Sequence, residues 1–307
     1  MAEPASATQD HREPPLVVDL DGTLLLTDVL HESSVRLLRN RPLQVLALPL
    51  QLRAGKAPLK QFIAERVDLQ VATLPCNEAL LAWLREQRGS GRQLVLCTAA
   101  NDKFARQVAA HLGIFDEVMA SDARDNLGGE QKAAALVQRF GRGGFDYAGN
   151  ARADLPIWAS ARRAIVVSND QSLVSAVQAM EEVTCAFAPP PPRADEWRSS
   201  LRLQQWLKNL LLFAPALAAH QVGDAGALAQ LLLAFLAFGL CASGTYIIND
   251  LLDLESDRLH PRKRRRPLAS GRITIADGML AALALLAAGL GLAGLTSGPF
   301  LLCVLFY

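Results

Sequence analysis

Residues 225–248 form a run of 24 positions without a single charged side chain. About 20 apolar residues suffice to cross a bilayer as a helix, so this stretch predicts a membrane span. It runs straight into Asn249-Asp250-Leu251-Leu252-Asp253-Leu254-Glu255-Ser256-Asp257. Asp250, Asp253 and Asp257 are spaced three and four apart, and on a continuous helix they share one face. Carboxylates held that close repel one another, and a hard, oxygen-seeking divalent cation relieves the repulsion. Mg²⁺ commonly keeps coordination positions open for substrate phosphates. Charge at a membrane helix end is costly without a function, which favours a cation site over a merely solvated acidic end.

The rest of the chain is different in kind. Its 307 residues allow about two domains. Hydrophobic residues make up 51% of it but are concentrated in the last hundred positions, while the first 200 read as a soluble domain. A net charge of +1, with no basic stripe interleaved with aromatics, argues against nucleic acid as a partner. Cys76, Cys97, Cys185, Cys241 and Cys303 contain no C-x-x-C pair, so a disulfide framework is not expected and a reducing compartment suits the set. Residues 1–15 are polar and lack an apolar core, which predicts a disordered leader rather than a cleavable signal peptide.

From residue 16 the pattern alternates strand and helix. Leu16-Val17-Val18 is a buried-strand run that ends in Asp19-Leu20-Asp21-Gly22-Thr23-Leu24. This places two carboxylates at the carboxyl end of a strand, where open α/β sheets bind ligands. Gly22 lets the chain turn close to them. A helical region over residues 28–69 follows, then a helix over 80–88, a strand over 94–97 and helices over 102–112 and 131–140. Strands over 145–148 and 164–167 complete the scheme. Three polar signals fall at its element ends: Thr98, Lys132 after Gly128-Gly129, and Gly149-Asn150-Ala151-Arg152-Ala153-Asp154.

With these motifs in this order, residues 16–183 resemble the haloacid dehalogenase (HAD) superfamily of aspartate-nucleophile phosphatases. The resemblance implies a Rossmann-like parallel sheet with a helical cap, formed by residues 28–69, that governs substrate access. It implies that Asp19 attacks phosphorus and that Asp21 protonates the leaving group and then activates water. Thr98 and Lys132 would hold phosphoryl oxygens, and Mg²⁺ would sit among Asp19, Asp21 and the fourth motif. Where many relatives have aspartate after the glycine of that motif, this sequence has Asn150. Its amide oxygen can still coordinate, and Asp154 is a second acidic candidate.

Ala188-Pro189-Pro190-Pro191-Pro192 predicts a stiff spacer, so residues 16–187 are expected as the first domain, 188–200 as linker and 201–307 as a membrane domain. Arg193, Arg198, Arg202 and Lys208, interleaved with Trp197 and Trp206, suit a membrane interface. Three spans are expected, near residues 201–222, 225–248 and 278–307, the last broken at Gly298-Pro299. The loop after the second span holds Arg258, Arg262, Lys263, Arg264, Arg265, Arg266 and Arg272, against only Asp224 in the short loop opposite. By the positive-inside rule that loop faces the cytoplasm of an inner-membrane protein, and so does the first domain. The basic run could serve as topology signal or anionic-lipid contact. Beside a carboxylate face it reads better as a phosphate clamp, since arginine grips phosphate bidentately.

Trp206-Leu207-Lys208-Asn209, the N-D-x-x-D-x-x-x-D run and His260-Pro261-Arg262-Lys263-Arg264-Arg265-Arg266-Pro267-Leu268-Ala269-Ser270-Gly271 resemble the UbiA superfamily of intramembrane prenyltransferases. The last stretch is particularly similar to its decaprenyl-phosphate phosphoribosyltransferase branch. The resemblance implies an all-α transmembrane bundle in which Asp250, Asp253 and Asp257 bind Mg²⁺ and diphosphate. Lys208, Asn209, Asn249, Arg258, Arg262, Lys263, Arg264 and Arg266 would contact phosphates. The family has about nine spans and a second Asp-rich motif, neither of which this sequence contains. A fragment of a longer fusion is therefore expected, incomplete at its C-terminus and lacking transferase activity by itself.

Together these features predict a bifunctional membrane enzyme. A UbiA-type transferase would join a polyprenyl phosphate or diphosphate to phosphoribosyl diphosphate or another phosphosugar, and a fused phosphatase would remove a phosphate from the lipid-linked product. Two other readings stay open at this point. One is an aromatic-acceptor prenyltransferase beside a phosphatase for an unrelated soluble phosphate. The other is a membrane-anchored binding module without catalysis.

Overall fold

The computed structural model describes residues 13–180, 183–185, 187–218 and 224–306. The leader expected at residues 1–15 lies, apart from its last three positions, outside them. The chain divides into two compact units. One comprises the residues up to Leu30 together with Leu46–Pro190, the other His31–Val45 with Pro191–Tyr307.

The first unit is built on a six-stranded sheet in the order β3-β2-β1-β4-β5-β6. Its strands are β1 Leu16–Val18, β2 Leu94–Asn101, β3 Glu117–Ser121, β4 Asp146–Gly149, β5 Ala164–Val166 and β6 Val183–Cys185, and every pairing is parallel. β1 is central, with Val17 paired to Val95 on one side and Tyr147 on the other. Its three residues are all apolar and buried because a parallel strand is covered on both faces. Leu16 and Val18 belong to one core cluster with Leu80, Leu84 and Phe104; Val17 belongs to the other, with Leu136, Phe145 and Trp158. That split is the two-residue pleat period made visible in packing.

The expected α/β scheme is present, with β2 reaching four residues further than anticipated. The edge strands β3 and β6 were not expected. An edge strand is covered less completely and carries a weaker apolar signal, as the half-buried Glu117, Val118, Met119 and Ala120 of β3 illustrate. Helix starts follow local capping chemistry. Asn77 accepts from Leu80 N at the head of Glu78–Gly89, and Asn101 from Lys103 N at the head of Asp102–Leu112, which ends at left-handed Gly113. The helical insertion consists of Val29–Asn40, Pro42–Val45, Leu48–Ala54 and Lys56–Ala64.

In the second unit, helices Ala225–Leu252 and Ile275–Thr296 are long and apolar enough to cross a membrane. Asp224 caps the first by accepting from Gly226 N and Ala227 N. Small residues line their mutual contact, so the backbones approach closely, as membrane helices without a hydrophobic drive between them require. A Cβ added to Gly289 would lie 2.5 Å from Cys241 Sγ and 2.8 Å from the Ala237 carbonyl oxygen. The break at Gly298-Pro299 is real, with Ser297 capping the short helix Gly298–Leu305.

The first expected span is corrected. Leu203–Phe213 is a 3₁₀ segment followed by the short helix Ala214–Ala218, so no spanning helix forms there among the described residues. The interval 188–200 also holds structure, since Ala194–Leu201 is helical. Segment His31–Val45, expected as part of the cap, packs with the second unit, where Val35 joins Ile247, Leu251 and Leu254.

Candidate functional sites

The first site forms where the sheet order reverses about β1. Asp19 follows directly on β1 and its N–H donates to the Ala148 carbonyl (2.9 Å), fixing the carboxylate at the carboxyl edge of β1 and β4. Gly22 turns the chain with φ 73°, and an added Cβ would strike the Asn150 amide at 2.2 Å. The turn therefore packs Asn150 against the D-x-D segment. Asp21 Oδ1 accepts from Val29 N (2.8 Å), which anchors the loop to the first turn of Val29–Asn40.

Lys132 stands in the first turn of Glu130–Phe140, where a cation opposes the helix dipole. Its compensation is Asp19: Nζ lies 2.7 Å from Asp19 Oδ1 and donates also to Tyr147 Oη (3.1 Å). Tyr147 in turn donates to Asp154 Oδ1 (2.9 Å). All four side chains are buried. Burial pushes the Asp19 carboxyl up to about 6 against the pull of Lys132. Burial alone would depress the Lys132 ammonium, but Asp19 and Asp154 outweigh it and hold it above the ordinary lysine value. Burial, reinforced by Asp28, holds Asp21 well above the usual carboxylate range, the state in which a carboxyl can give up a proton. Thr98, expected at the end of a strand, lies inside the longer β2; it is fully buried and accepts from Ala100 N (3.0 Å). Burial pushes the neighbouring Cys97 thiol up to about 12, which leaves it inert as a nucleophile.

Asp154 is committed elsewhere. Its Oδ2 accepts from Asn150 N (3.2 Å) and Ala151 N (3.1 Å), and its Oδ1 from Tyr147. It holds the Asn150 loop and Tyr147 in place, and Asn150 is the fourth-motif residue that meets the turn. Asp19, Asp21 and Asn150 are oxygen donors of the hard type Mg²⁺ selects, and Asn150 packs against Gly22, the residue that follows Asp21 in the chain. The set fits the ion.

Sequence reasoning missed Lys60. From helix Lys56–Ala64 its Nζ reaches the Ala99 carbonyl (2.5 Å) and Asn126 Oδ1 (2.6 Å), tying the insertion to β2 and to the loop that holds Asn126. Burial lowers its ammonium against the attraction of Asp21 and Asp28. These partners are tens of residues distant, so no local spacing announces them.

The second site lies at the end of Ala225–Leu252. The expectation of three carboxylates on one helical face is corrected. The helix stops at Leu252, Asp253 (φ −96°, ψ 7°) ends it, and Leu254–Leu259 starts a new helix. Asp250 and Asp257 are buried and converge on Arg266, whose Nη1 lies 3.0 Å from Asp250 Oδ1 and 2.6 Å from Asp257 Oδ2. Arg202 also contacts Asp250. Asp253 turns away to Arg39 (3.1 Å), and neighbouring Glu255 pairs with Arg36.

Arg258, expected to contact phosphate, has protein partners for its guanidinium. Its buried guanidinium makes a fork to Glu32 (3.0 and 2.6 Å) and donates to the Ala269 carbonyl. Lys263 faces Asp257 Oδ1 at 3.4 Å. Lys208, Asn249, Arg262 and Arg264 are exposed and make no side-chain hydrogen bond or ion pair among the described residues. Asn209 buries an Nδ2 that has no partner there, and Asp257 Oδ1, despite Lys263, accepts no hydrogen bond. That orphaned carboxylate oxygen beside Asp250 is compatible with a divalent ion. Among the described residues no three His, Cys, Asp or Glu side chains converge as a ready-made metal cage. At either place an ion would share its shell with Asn150, backbone or phosphate oxygens.

The two sites belong to a parallel-sheet α/β unit and to a helical unit in which an Asp-rich motif ends a helix long and apolar enough to cross a membrane. Residues 16–158 match the haloacid dehalogenase-like hydrolase family and residues 210–307 the UbiA prenyltransferase family, so this chain carries a domain of each. Members of both families generally depend on a divalent metal. The chain is 39% identical over 297 residues to an uncharacterised protein, y4nM, of Sinorhizobium fredii, covering 96% of this chain and 57% of that protein. It is 39% identical over 120 residues to a decaprenyl-phosphate phosphoribosyltransferase of Corynebacterium glutamicum, covering 38% of this chain and 36% of that one. The chain thus spans little more than half the length of the first relative and about a third of the second. A crystal structure of a protein of unknown function from Bordetella pertussis aligns over 57% of this chain and 99% of its own, at 18% identity and a TM-score of 0.45.

Proposed function

We propose that the first unit is a phosphomonoesterase and that, in the whole protein, it acts on the phosphorylated product of a UbiA-type transferase. The observation that carries the hydrolase half is the buried Asp19–Lys132 pair at 2.7 Å, with the high-pKa Asp21 two residues on. An Asp19 carboxylate oxygen forms a bond to phosphorus as the ester P–O bond breaks. Asp21 gives its proton to the departing alkoxide. Asp21 then takes a proton from water, whose oxygen attacks phosphorus, releasing phosphate and restoring Asp19. Lys132 and Thr98 neutralise and orient phosphoryl oxygens, Asp154 and Tyr147 hold Lys132, and Lys60 ties the insertion to β2 and to the loop that holds Asn126. Mg²⁺, held by Asp19, Asp21 and Asn150, would supply shielding of the phosphoryl charge.

For the transferase half, similarity to decaprenyl-phosphate phosphoribosyltransferases over the C-terminal part of the chain supports polyprenyl phosphate as acceptor and phosphoribosyl diphosphate as donor. Asp250 and Asp257 would bind Mg²⁺, and the diphosphate would leave as the lipid phosphate oxygen bonds to the sugar. The fused phosphatase would then remove the sugar phosphate, with both sites on the cytoplasmic side of the inner membrane. Linkage to the transferase raises the local concentration of that product. The test uses the full-length protein in membranes supplied with polyprenyl phosphate and phosphoribosyl diphosphate. Asp19→Asn should accumulate a lipid-linked phosphosugar that the unaltered protein dephosphorylates. Equal dephosphorylation by both would end this reading.

A further inference from the structure

Residues 42–52 form an uncharged run of 11 positions bracketed by Arg41 and Arg53. A run of that length is too short to span a bilayer and ordinarily ends in a core or at an interface. Here it enters no core. Neither Pro42–Val45 nor Leu48–Ala54 has a buried residue. Leu43, Leu46, Leu50 and Leu52 are each between 55% and 81% exposed. A contiguous apolar stretch left bare in this way marks a binding surface.

We propose that this stretch of the helical insertion lies in the headgroup region of an anionic lipid bilayer, with its leucines toward the acyl chains. The charges around it select lipid over another occupant. Residues 33–64 contain six cations and no aspartate or glutamate. Arg36 and Arg39 are held by Glu255 and Asp253, and Lys60 by the Ala99 carbonyl and Asn126. Arg41, Arg53 and Lys56 are exposed and have no carboxylate partner among the described residues. Cations flanking an apolar face are the pattern of helices that lie in a membrane interface, where anionic headgroups meet the charges. The same chain carries two helices long and apolar enough to cross a membrane, and that tether strengthens a weak surface contact. Residues 46–56 belong to the same compact unit as Asp19, and helix Lys56–Ala64 continues from them. The contact thus keeps the first site at a lipid surface, where the phosphate of a lipid-linked ester would lie. That consequence rests on the proposed phosphatase; the contact itself does not.

The test reconstitutes the full-length protein in nanodiscs of phosphatidylglycerol and phosphatidylcholine, with Leu46 or Leu50 replaced by the photocrosslinker benzoylphenylalanine. Both positions are exposed, so the replacements leave the fold standing. Irradiation should join each to phospholipid, read by mass spectrometry. The yield should be about tenfold or more above that from the same group in place of the exposed Glu86. Arg53→Gln combined with Lys56→Gln, or nanodiscs of phosphatidylcholine alone, should lower it by about fivefold or more. No phospholipid adduct at either position, or equal yields from Glu86 or from phosphatidylcholine alone, overturns the contact. Crosslinks to a second copy or to another segment of the chain overturn it as well and assign the leucines to a protein interface. Phospholipid adducts without any hydrolysis of phosphomonoesters would overturn the phosphatase reading and leave the contact standing.

Discussion

Lys132 Nζ and Asp19 Oδ1 stand 2.7 Å apart, 113 residues distant in the chain and both buried. Removing one member of a buried pair strands the other, at a cost of about 3–5 kcal/mol. Lys132→Met should therefore lower thermal stability and also raise the Asp19 pKa, because Lys132 is the cation that pulls it down. Phosphate release from phosphomonoesters should fall by about 10²–10³-fold. Activity within a few-fold of the parent would remove Lys132 from the mechanism.

Gly22→Ala tests the turn. A side chain in a left-handed conformation costs about 1–2 kcal/mol, and the new Cβ would meet the Asn150 amide at 2.2 Å. The variant should melt several degrees lower and lose Mg²⁺-dependent hydrolysis, since Asn150 must retreat. Differential scanning calorimetry and a metal titration read the two effects separately.

Asp146 opens β4 and accepts a fork from Arg162 (2.9 and 2.7 Å) and a further bond from Arg92. Burial pushes its carboxyl up, but those two arginines outweigh it and the pKa is depressed. A depressed folded pKa stabilises above the unfolded value and loses that stabilisation as pH falls through the folded one. The parent should thus lose stability progressively as the pH drops below about 4. Asp146→Asn should be less stable at neutral pH, by about 3 kcal/mol, with a flatter acid limb. Parallel denaturation curves from pH 7 to pH 3 for parent and variant would contradict this.

Glu32 and Arg258 form a buried fork. Glu32→Gln leaves the guanidinium without its counter-charge, so the expected loss is again about 3 kcal/mol. Because Arg258 also holds the Ala269 carbonyl, limited proteolysis should cut the loop between the two long helices faster. An unaltered cleavage rate would show that the fork does not organise the loop.

Gly289→Val should separate the two long helices. Overpacking a tight contact costs about 1–3 kcal/mol, and here the added atoms would meet Cys241 Sγ and the Ala237 backbone. Gly291→Val, with open space at its Cβ, is the matched control. Equal melting temperatures for the two variants in detergent would argue against close packing at Gly289.

The α/β character of the first unit was legible because parallel strands buried on both faces are short apolar runs. Leu16-Val17-Val18, the D-x-D-G-T turn and the helix caps are local events. So were the two long apolar helices, whose composition marks them without reference to any partner. Local periodicity misled at Asp253. Spacings of three and four keep three carboxylates on one face only while the helix continues, and the chain leaves the helix there.

The same limit applies at Asn249–Asp257 as a whole. The sequence alone established that an acidic motif follows a long uncharged run and is itself followed by a basic run. Only the tertiary structure decided which charges meet: Asp250 and Asp257 on Arg266, Arg202 on Asp250, Arg258 on Glu32, and Asp253 on Arg39. It likewise set Asn150 against Gly22, engaged Asp154 with Tyr147 and the N–H groups of Asn150 and Ala151, and brought Lys60 to Ala99 and Asn126. The reason is physical. Helix, strand and turn preferences act over a few neighbouring residues and can be read in order along the chain. Ion pairs and hydrogen bonds between side chains form across tens to hundreds of residues, and their partners exist only once the elements have packed.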